Sequence, residues 1–396
     1  MSLSTIIKSL RRVTSKGVFI PEIDGLRFLA IAPVVFMHAN TNYNRIFEDN
    51  LKIDSTLYNY LINQGGKGVW IFFAISGFIL SYFFAKHFYV EKKSLRELNL
   101  KAYFIRRLTR LEPPFLISMI VLFFFTSTFV VHSYTALLPN FLASITYSHN
   151  IFYGKWSPIN PVTWSLEVEI QFYLIAPFIS AGLFVLGENL RTILLILMIV
   201  LIPYFVFDPD SPFISNPHLA KTIPAYLHHF LIGVLLASIY TGKYWEKLRP
   251  GILWDLICIV SIGMAFYIEV DVQHVFSFYL FDFLLLLIMI GAFKGTFVND
   301  FFSNPIITSI GGMCYSIYLI HYAVVFGVSN VMKYYVIDSP IVNYGFHIFG
   351  SVTIVLVLSI IFFKFCERPF MDKFWPQKFS RWFLDSFSSK KTPTSV

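Results

Sequence analysis

Apolar residues fill ten long runs along this chain, and short polar segments separate the runs. Each run holds roughly the 20 predominantly apolar residues that a helix needs to cross the hydrocarbon core of a bilayer. The pattern predicts an all-α, polytopic integral membrane helical bundle with about ten transmembrane helices. The predicted spans cover residues 26–46, 68–87, 113–131, 163–186, 190–207, 222–241, 252–270, 275–293, 306–332 and 343–364.

Composition agrees with this class, since 56% of the 396 residues are apolar, 14% are charged and the mean hydropathy is +0.65. The first run is not expected to be a cleaved signal, because no small-residue cleavage site follows it and further spans come directly after it. Cys258, Cys314 and Cys366 lie in or beside apolar runs without metal-ligand spacing. We interpret them as packing residues and expect no metal site.

The positions of Lys and Arg predict the orientation, because cytoplasmic loops retain basic residues. With the N-terminus inside, about 25 of the 31 basic residues fall on inner segments, so both termini are predicted to be cytoplasmic. The net charge of +8 then needs no nucleic-acid partner, since the basic residues are spread over loops. We divide the chain into a membrane domain, residues 1–371, and a short basic cytoplasmic tail, residues 372–396.

The first span carries unusual polar residues in the stretch IDGLRFLAIAPVVFMHAN. Arg27 and His38 are eleven residues apart, so a helix places them on one face, roughly 16 Å apart along its axis. Asp24 precedes Arg27 by three residues and can orient it or cap the helix start. A titratable group inside a bilayer usually faces a protein interior or a cavity, so His38 is a functional candidate. The alternative is an interhelical hydrogen bond.

An arginine cluster precedes the third span, in the segment KAYFIRRLTRLEPP. A helical turn would gather Arg106, Arg107 and Arg110 on one side. Guanidinium forks there could grip phosphates bidentately, and the alternative is an anchor on lipid headgroups. Pro113 and Pro114 suit the first turn of the third span.

The fourth and ninth spans add further candidates. Glu167 and Glu169 are two residues apart, so at most one of them can point into a common cavity. Trp164 is typical of an interfacial anchor. His321 is either a site residue or a helix-to-helix hydrogen-bonding residue, and Gly77 lets another helix pack tightly.

Six motifs follow one another over roughly residues 20–370: IDGLR followed by His38, FFAISGF, RRLTR before a Pro pair, W-S-L-x-V-E-x-Q-F-Y, YSIYLIHY and CERPF. In this order they resemble the acyltransferase-3 family of integral membrane acyltransferases. The resemblance implies ten or so spans. It also implies transfer of an acetyl or other acyl group from cytosolic acyl-CoA to a hydroxyl, often of an extracytoplasmic glycan. One departure is Glu112, where the family commonly has an aromatic residue before the prolines.

The resemblance also assigns candidate site residues. The family's arginine and histidine fall on Arg27 and His38, its Arg-x-x-Arg pair on Arg107 and Arg110, and its fourth-span acid on Glu169. We hypothesise that the arginines bind the phosphates of acetyl-CoA, which serves as a donor substrate and not as a tightly bound cofactor.

In this hypothesis neutral His38 is the general base for an acceptor hydroxyl, and Glu169 orients the acceptor. An acyl-histidine intermediate is the alternative mechanism. The remaining residues expected to bind substrate are Asp24, Trp164 and His321.

The expected partners follow from the same resemblance. They are acyl-CoA, membrane lipids and a glycan or lipid-linked sugar acceptor, at the inner (cytoplasmic) membrane of a bacterium. A surface polysaccharide, such as an O-antigen unit of lipopolysaccharide, is the first candidate acceptor. Many relatives carry an additional esterase-like domain. Without one, we expect acceptor choice to rest on the outer loops 40–66 and 131–162 or on a separate partner.

Two other functions suit the same residues. Intramembrane His, Glu and Arg also occur in proton-coupled transporters, although no inverted repeat or pair of broken helices is evident here. A catalytically inactive glycan-binding protein is the other alternative. Consumption of acetyl-CoA in the presence of glycans would separate the enzyme from both.

The predicted orientation can be tested by labelling introduced cysteines in intact cells with a membrane-impermeant reagent. A cysteine near Lys155 should react, and one near Lys92 should not, because the two loops lie on opposite sides of the membrane. Labelling at position 92 would reverse the orientation and, with it, the cytosolic entry of acyl-CoA.

Overall fold

The computed structural model describes residues 10, 12, 19–47, 51–53, 56–372, 375 and 377. These residues form helices and connecting turns, and no β-strand. The helices are α1 (Pro21–Ile46), α2 (Thr56–Asn63), α3 (Gly68–Ala85), α4 (Leu100–Phe129), α5 (Tyr134–Ile145), α6 (His149–Tyr153), α7 (Trp164–Phe184), α8 (Glu188–Val206), α9 (Pro212–Ser215), α10 (Ile223–Thr241), α11 (Ile252–Tyr267), α12 (Val275–Lys294), α13 (Phe297–Ser303), α14 (Pro305–Gly312), α15 (Cys314–Met332) and α16 (Pro340–Phe362).

Eight segments of the described chain are long and apolar enough to cross a membrane, which confirms the predicted all-helical, polytopic bundle. Two further predicted spans coincide with α1, which has 26 residues and several polar side chains, and with α11, an apolar helix of 16 residues. The predicted tail lies almost wholly outside the described residues. The eight segments are Thr56–Val90, Leu100–Phe129, Pro161–Phe184, Glu188–Val206, Ile223–Thr241, Val275–Lys294, Cys314–Met332 and Pro340–Met371.

Helix α4 begins earlier than the predicted third span and continues through the proline pair. It starts at Leu100, where the side chain of Asn99 accepts a hydrogen bond of 2.8 Å from the Ala102 N–H. Pro113 has no N–H to donate to the carbonyl of Thr109, and the indole N–H of Trp375 donates to that oxygen instead, at 2.8 Å. The expectation that the prolines open the span is therefore wrong. A donor from outside the helix replaces the missing one.

The ninth predicted span is divided into two helices. The prediction of one continuous helix over 306–332 is therefore wrong. Helix α14 ends at Gly312 and α15 starts at Cys314, with Met313 between them. Just before the break, Gly311 packs so closely on α1 that a Cβ atom would collide with the carbonyl oxygen of Asp24. The break leaves the first turn of α15 with amide groups that no carbonyl of its own helix can satisfy.

Helices α3 and α10 cross with their backbones nearly touching. A Cβ atom on Gly77 would collide with the carbonyl oxygen of Phe230, and one on Gly233 would collide with that of Ala74. Small residues permit this approach, which is how many helices associate in lipid. The prediction for Gly77 is confirmed. Beside the crossing, the ring of Phe73 stacks on that of Phe230 with centroids 4.6 Å apart.

Replacing Gly233 with Ala should destabilise the bundle, because the added Cβ has to push the backbone of α3 away. We expect the free energy of unfolding to fall by about 1–3 kcal/mol, the usual cost of overpacking, and the apparent melting temperature in detergent to fall with it. The control is Gly182→Ala in α7, where a Cβ meets nothing within 4 Å. Equal melting temperatures for the two variants would contradict the close crossing.

Candidate active site

A cavity of about 360 Å³, which we call the main cavity, lies inside the bundle. Helices α1, α3, α4, α7 and α15 contribute to its wall. Guanidinium groups line one end of it, and Met37, Gly66 and Trp156 line the opposite end. Most of the site residues predicted from the sequence lie on this wall, namely Arg27, His38, Arg107, Arg110, Trp164, Glu169 and His321.

The arginine end of the main cavity contains Arg27, Arg107 and Arg110. Arg27 forms an ion pair with Asp24, and a guanidinium nitrogen of Arg12 lies 3.6 Å from the same carboxylate. Asp24 is 3% exposed and does not line the main cavity. The structure therefore places Asp24 as a partner of the arginines, and its contact with substrate stays a prediction.

The charged side chains of the RRLTRLEPP segment lie in different surroundings. Arg106 is exposed and lines a second cavity, of about 400 Å³, beside the arginine end. The expectation that three arginines gather on one side is wrong for Arg106. Helix geometry turns the adjacent Arg106 and Arg107 roughly 100° apart, with Arg110 between them in angle, so Arg106 can line the second cavity while Arg107 and Arg110 line the main one. Glu112 lies away from the main cavity, and its Oε1 accepts a hydrogen bond of 2.9 Å from the hydroxyl of Tyr147.

The junction of α14 and α15 contributes to the arginine end, since Gly312, Cys314 and Tyr315 line the main cavity. The N–H and the hydroxyl of Ser316 donate to one carboxylate oxygen of Glu367, at 3.1 and 2.5 Å. A buried carboxylate from another element thus caps this helix start. The partial positive charge of the helix start faces the arginine end, and Glu367 compensates part of it.

His38 and His321 are joined by a hydrogen bond of 2.9 Å between Nδ1 of His38 and Nε2 of His321. Nδ1 of His321 lies 3.0 Å from the carbonyl oxygens of both Ile317 and Tyr318. Carbonyl oxygens only accept, so Nδ1 of His321 carries a proton, and Nε2 of its neutral ring is an acceptor. His38 must then donate from Nδ1. This leaves Nε2 of His38 with an unshared electron pair and no hydrogen-bond partner among the described residues.

The sequence left open whether His38 and His321 are site residues or residues that form a hydrogen bond between helices. Both histidines make an interhelical hydrogen bond, and both also line the main cavity. His321 is fully buried, whereas His38 is half-buried and has the edge of Tyr322 packed against it. The histidine with the unshared pair on Nε2 is therefore the one that a ligand in the cavity can reach.

Glu169 faces the main cavity and Glu167 does not, in agreement with their spacing. Oε1 of Glu169 accepts hydrogen bonds from the hydroxyl of Ser76, at 2.5 Å, and from that of Tyr173. Its Oε2 has no hydrogen-bond partner in the described part of the chain. Glu167 is buried, and its carboxylate accepts a hydrogen bond of 2.9 Å from the Asn150 N–H, which links α6 to α7.

Trp164, predicted as an interfacial anchor, is part of the cavity wall. Its ring packs against Tyr226 and Phe73, with centroids 5.4 and 6.5 Å away. It precedes Glu169 by five residues of the same helix, which places it roughly 7 Å nearer the opposite end of the cavity. The two protein side chains cover the ring, so its remaining surface faces the cavity.

Sequence reasoning missed four residues on the cavity wall: Arg12, Ser76, Tyr173 and Glu367. Three of them stand in the motifs FFAISGF, W-S-L-x-V-E-x-Q-F-Y and CERPF, so a signal was present. The motifs did not say which partner each side chain would contact. Arg12 lies before α1 in a segment with no motif.

One buried group has donor atoms that could hold a metal ion, namely His228 and His229 of α10 and Asp282 of α12. Their possible ligand atoms lie within 4.8 Å of one another. Nδ1 of each histidine lies 2.6 Å from a different oxygen of Asp282, and the ring of Trp70 stacks on His229. None of these residues lines the main cavity. The Nδ1 contacts with Asp282 link the two helices, whereas Nε2 of each histidine is buried without a hydrogen-bond partner among the described residues.

Comparison with known proteins identifies relatives of the chain. A provisionally named O-acetyltransferase of Staphylococcus aureus strain COL is 26% identical over 377 residues, which are 89% of this chain and 57% of that protein. The O-acetyltransferase OatA of S. aureus strain NCTC 8325 is 25% identical over 382 residues, which are 90% of this chain and 58% of OatA. The chain thus spans a little over half the length of these curated relatives. No solved structure matches it significantly.

The family model described as an acyltransferase domain matches residues 20–363. The match covers most of the chain and extends over the main cavity from Arg27 to His321. The chain therefore belongs to the acyltransferase-3 family of integral membrane proteins.

Proposed function

We propose that this chain is a membrane O-acyltransferase that moves an acyl group, in the first instance acetyl, from cytosolic acyl-CoA to a hydroxyl of an extracytoplasmic glycan. The main cavity carries the proposal. It holds guanidinium groups at one end and, roughly 16 Å further along α1, the unshared pair on Nε2 of His38. Acyl-CoA is divided in the same way, because its anionic phosphates lie at a distance from its reactive thioester. Family membership and the names of the S. aureus relatives support transfer to oxygen.

The phosphates of the donor would bind at the arginine end. Arg107 and Arg110 have planar forks, each able to donate two N–H bonds to one phosphate. Arg27 is held by its ion pair with Asp24, and the first turn of α15 adds partial positive charge. The pantetheine arm would then extend along the cavity and bring the thioester to His38.

His38 would act as general base. Its Nε2 takes the proton of the acceptor hydroxyl as that oxygen attacks the thioester carbonyl carbon. When the tetrahedral intermediate collapses, the C–S bond breaks and the protonated ring returns the proton to the leaving sulfur, so CoA departs as a thiol. His321 would keep His38 in the required tautomer, because its Nε2 accepts a hydrogen bond from the Nδ1–H of His38.

Glu169 would orient the acceptor. Ser76 and Tyr173 hold its Oε1 in place, while Oε2 can accept a hydrogen bond from a sugar hydroxyl. Trp164 offers a ring surface between Glu169 and the opposite end of the cavity, where Trp156 of a predicted outer loop lies. In the cytoplasmic membrane of a bacterium, with the arginine end inward, donor and acceptor would enter from opposite sides.

Mass spectrometry of cell-surface glycans, with and without this protein, tests the function as a whole. A mass difference of one acyl group on one sugar identifies both the transferred group and the acceptor. Purified protein that releases no CoA thiol from acetyl-CoA in the presence of those glycans would overturn the proposal. Proton-coupled transport would then be the function to test for the intramembrane His and Glu.

Arg110→Ala and His38→Ala should give defects of different kinds. Loss of Arg110 removes a charge-assisted hydrogen bond to phosphate, worth on the order of 1.5–3 kcal/mol, so the Kd for CoA should rise about tenfold or more. Loss of His38 should leave that Kd nearly unchanged and lower turnover at least about a hundredfold, because the general base is gone. Calorimetry and thiol release on monodisperse protein measure the two quantities.

Each variant can contradict its own part of the mechanism. Turnover near the parent rate in His38→Ala would make His38 a structural hydrogen-bonding residue. Normal CoA affinity in Arg110→Ala would make the Arg107 and Arg110 pair a lipid anchor.

His321 is a positioning residue in this mechanism, because it acts through His38. His321→Leu removes the acceptor for Nδ1 of His38 and should lower turnover at least about tenfold, with the Kd for CoA unchanged. His321→Gln supplies an amide oxygen that can accept the same hydrogen bond and should recover part of the rate. If the Leu and Gln variants turn over equally, His321 contributes packing alone.

A further inference from the structure

The second cavity lies directly beside the arginine end of the main cavity. Its wall is formed by Arg12, Phe19 and Ile20, by the start of α1, the end of α3, the turn that follows α3 and the start of α4. Arg12 and Ile79 line both cavities. Asp24 faces the second cavity and Arg27 faces the main one, so the ion pair between them is part of the shared wall.

Two cations of the second cavity are available to a ligand. Lys86 and Arg106 line it, and neither side chain forms an ion pair or a hydrogen bond with another residue in the described ranges. The guanidinium of Arg106 lies over the ring of Phe83, whose centroid is 5.8 Å away. A dianionic group is the ligand that two such cations suit best.

The acidic residues on the same wall already have partners. Asp24 is paired with the arginines of the shared wall. Glu91 forms an ion pair of 2.7 Å with Lys93. Glu97 accepts hydrogen bonds of 3.0 Å from both the N–H and the hydroxyl of Ser94. Among the described residues of this wall, these contacts leave Lys86 and Arg106 as the charges without a counter-ion.

Aromatic rings line the second cavity together with these cations. Phe19, which is 37% exposed, Tyr82 and Phe83 all contribute to the wall. Nucleobases stack on such rings without regard to base identity, and an arginine beside the ring adds to the attraction. The cavity therefore combines surfaces for a purine with cations for a phosphate.

The chemistry of CoA connects the two cavities. Its diphosphate carries pantetheine on one side and 3′-phosphoadenosine on the other. With the diphosphate at Arg107 and Arg110 and the thioester at His38, the adenosine has to leave the main cavity at the arginine end. The second cavity adjoins the main cavity there. This placement explains why Arg106 lies apart from Arg107 and Arg110. One motif supplies cations to both cavities, with Arg106 in the second and the other two in the main one.

From this placement we propose that the second cavity binds the 3′-phosphoadenosine end of acyl-CoA, with Lys86 and Arg106 as the ligands of the 3′-phosphate. The inference rests on the acyl-CoA-dependent function proposed above and adds a nucleotide subsite to it. Binding of the nucleotide outside the main cavity leaves the whole length of that cavity to the pantetheine arm and the acceptor.

The experiment compares the affinities for CoA and for dephospho-CoA, which lacks the 3′-phosphate, with purified protein in nanodiscs of zwitterionic lipid. The parent should bind CoA at least about tenfold more tightly than dephospho-CoA. The double variant Lys86→Ala, Arg106→Ala should lose this preference, through a higher Kd for CoA and a nearly unchanged Kd for dephospho-CoA. The matched control Arg96→Ala, Lys101→Ala removes two exposed cations that do not line the second cavity and should keep the preference.

The outcomes separate this subsite from the function on which it rests. A double variant that keeps the preference for CoA overturns the subsite. If Arg110→Ala weakens both ligands in the same preparations, the acyl-CoA-dependent function stands and the nucleotide lies elsewhere. A parent protein that binds neither ligand overturns both proposals. If the parent shows no preference for CoA in zwitterionic lipid and the double variant binds anionic lipid less than the parent does, the second cavity takes a lipid headgroup, and the nucleotide subsite is again wrong.

Discussion

Asp24 holds together the end of the bundle at which both cavities meet. Its carboxylate is 3% exposed and pairs with Arg27 of its own helix and with Arg12 from the preceding segment. A buried carboxylate without such partners would be costly, and two neighbouring guanidinium groups would repel each other without it. The ion pairs fix the start of α1, and helix geometry then places His38 roughly 16 Å further along. The close contact of Gly311 with the Asp24 backbone sets the start of α15 beside the same point.

A chain of hydrogen bonds that begins at the backbone sets the proton positions on His38. The carbonyl groups of Ile317 and Tyr318 can only accept, so they decide where His321 carries its proton, and His321 in turn decides this for His38. In a serine hydrolase triad a carboxylate plays this part. Here a neutral ring does so, and no additional charge has to be buried in the middle of the membrane, where charge is expensive.

The polar groups inside this bundle differ in whether an atom without a hydrogen-bond partner belongs to a residue that lines the main cavity. His228 and His229 pair with Asp282 through Nδ1, and their Nε2 atoms are buried away from the main cavity without a partner among the described residues. Glu167 is held by a backbone amide. These groups join helices. His38 and Glu169 each keep an atom without a partner in the described structure, and both line the main cavity. A titratable residue in a membrane span is therefore the stronger site candidate when its unpaired atom accompanies a place on the wall of the main cavity.

The sequence by itself determined those features that depend on the geometry of one helix. Apolar runs predicted the spans, an eleven-residue spacing placed Arg27 and His38 on one face, and a two-residue spacing allowed only one of Glu167 and Glu169 to enter a common cavity. The tertiary structure alone decided that α4 continues through its prolines, because the replacement donor, Trp375, is remote in the sequence. It also decided the break before α15, the separation of Arg106 from its neighbours and the proton positions on His38. Each of these depends on a partner from a distant part of the chain, and a single sequence does not reveal which distant residues will meet.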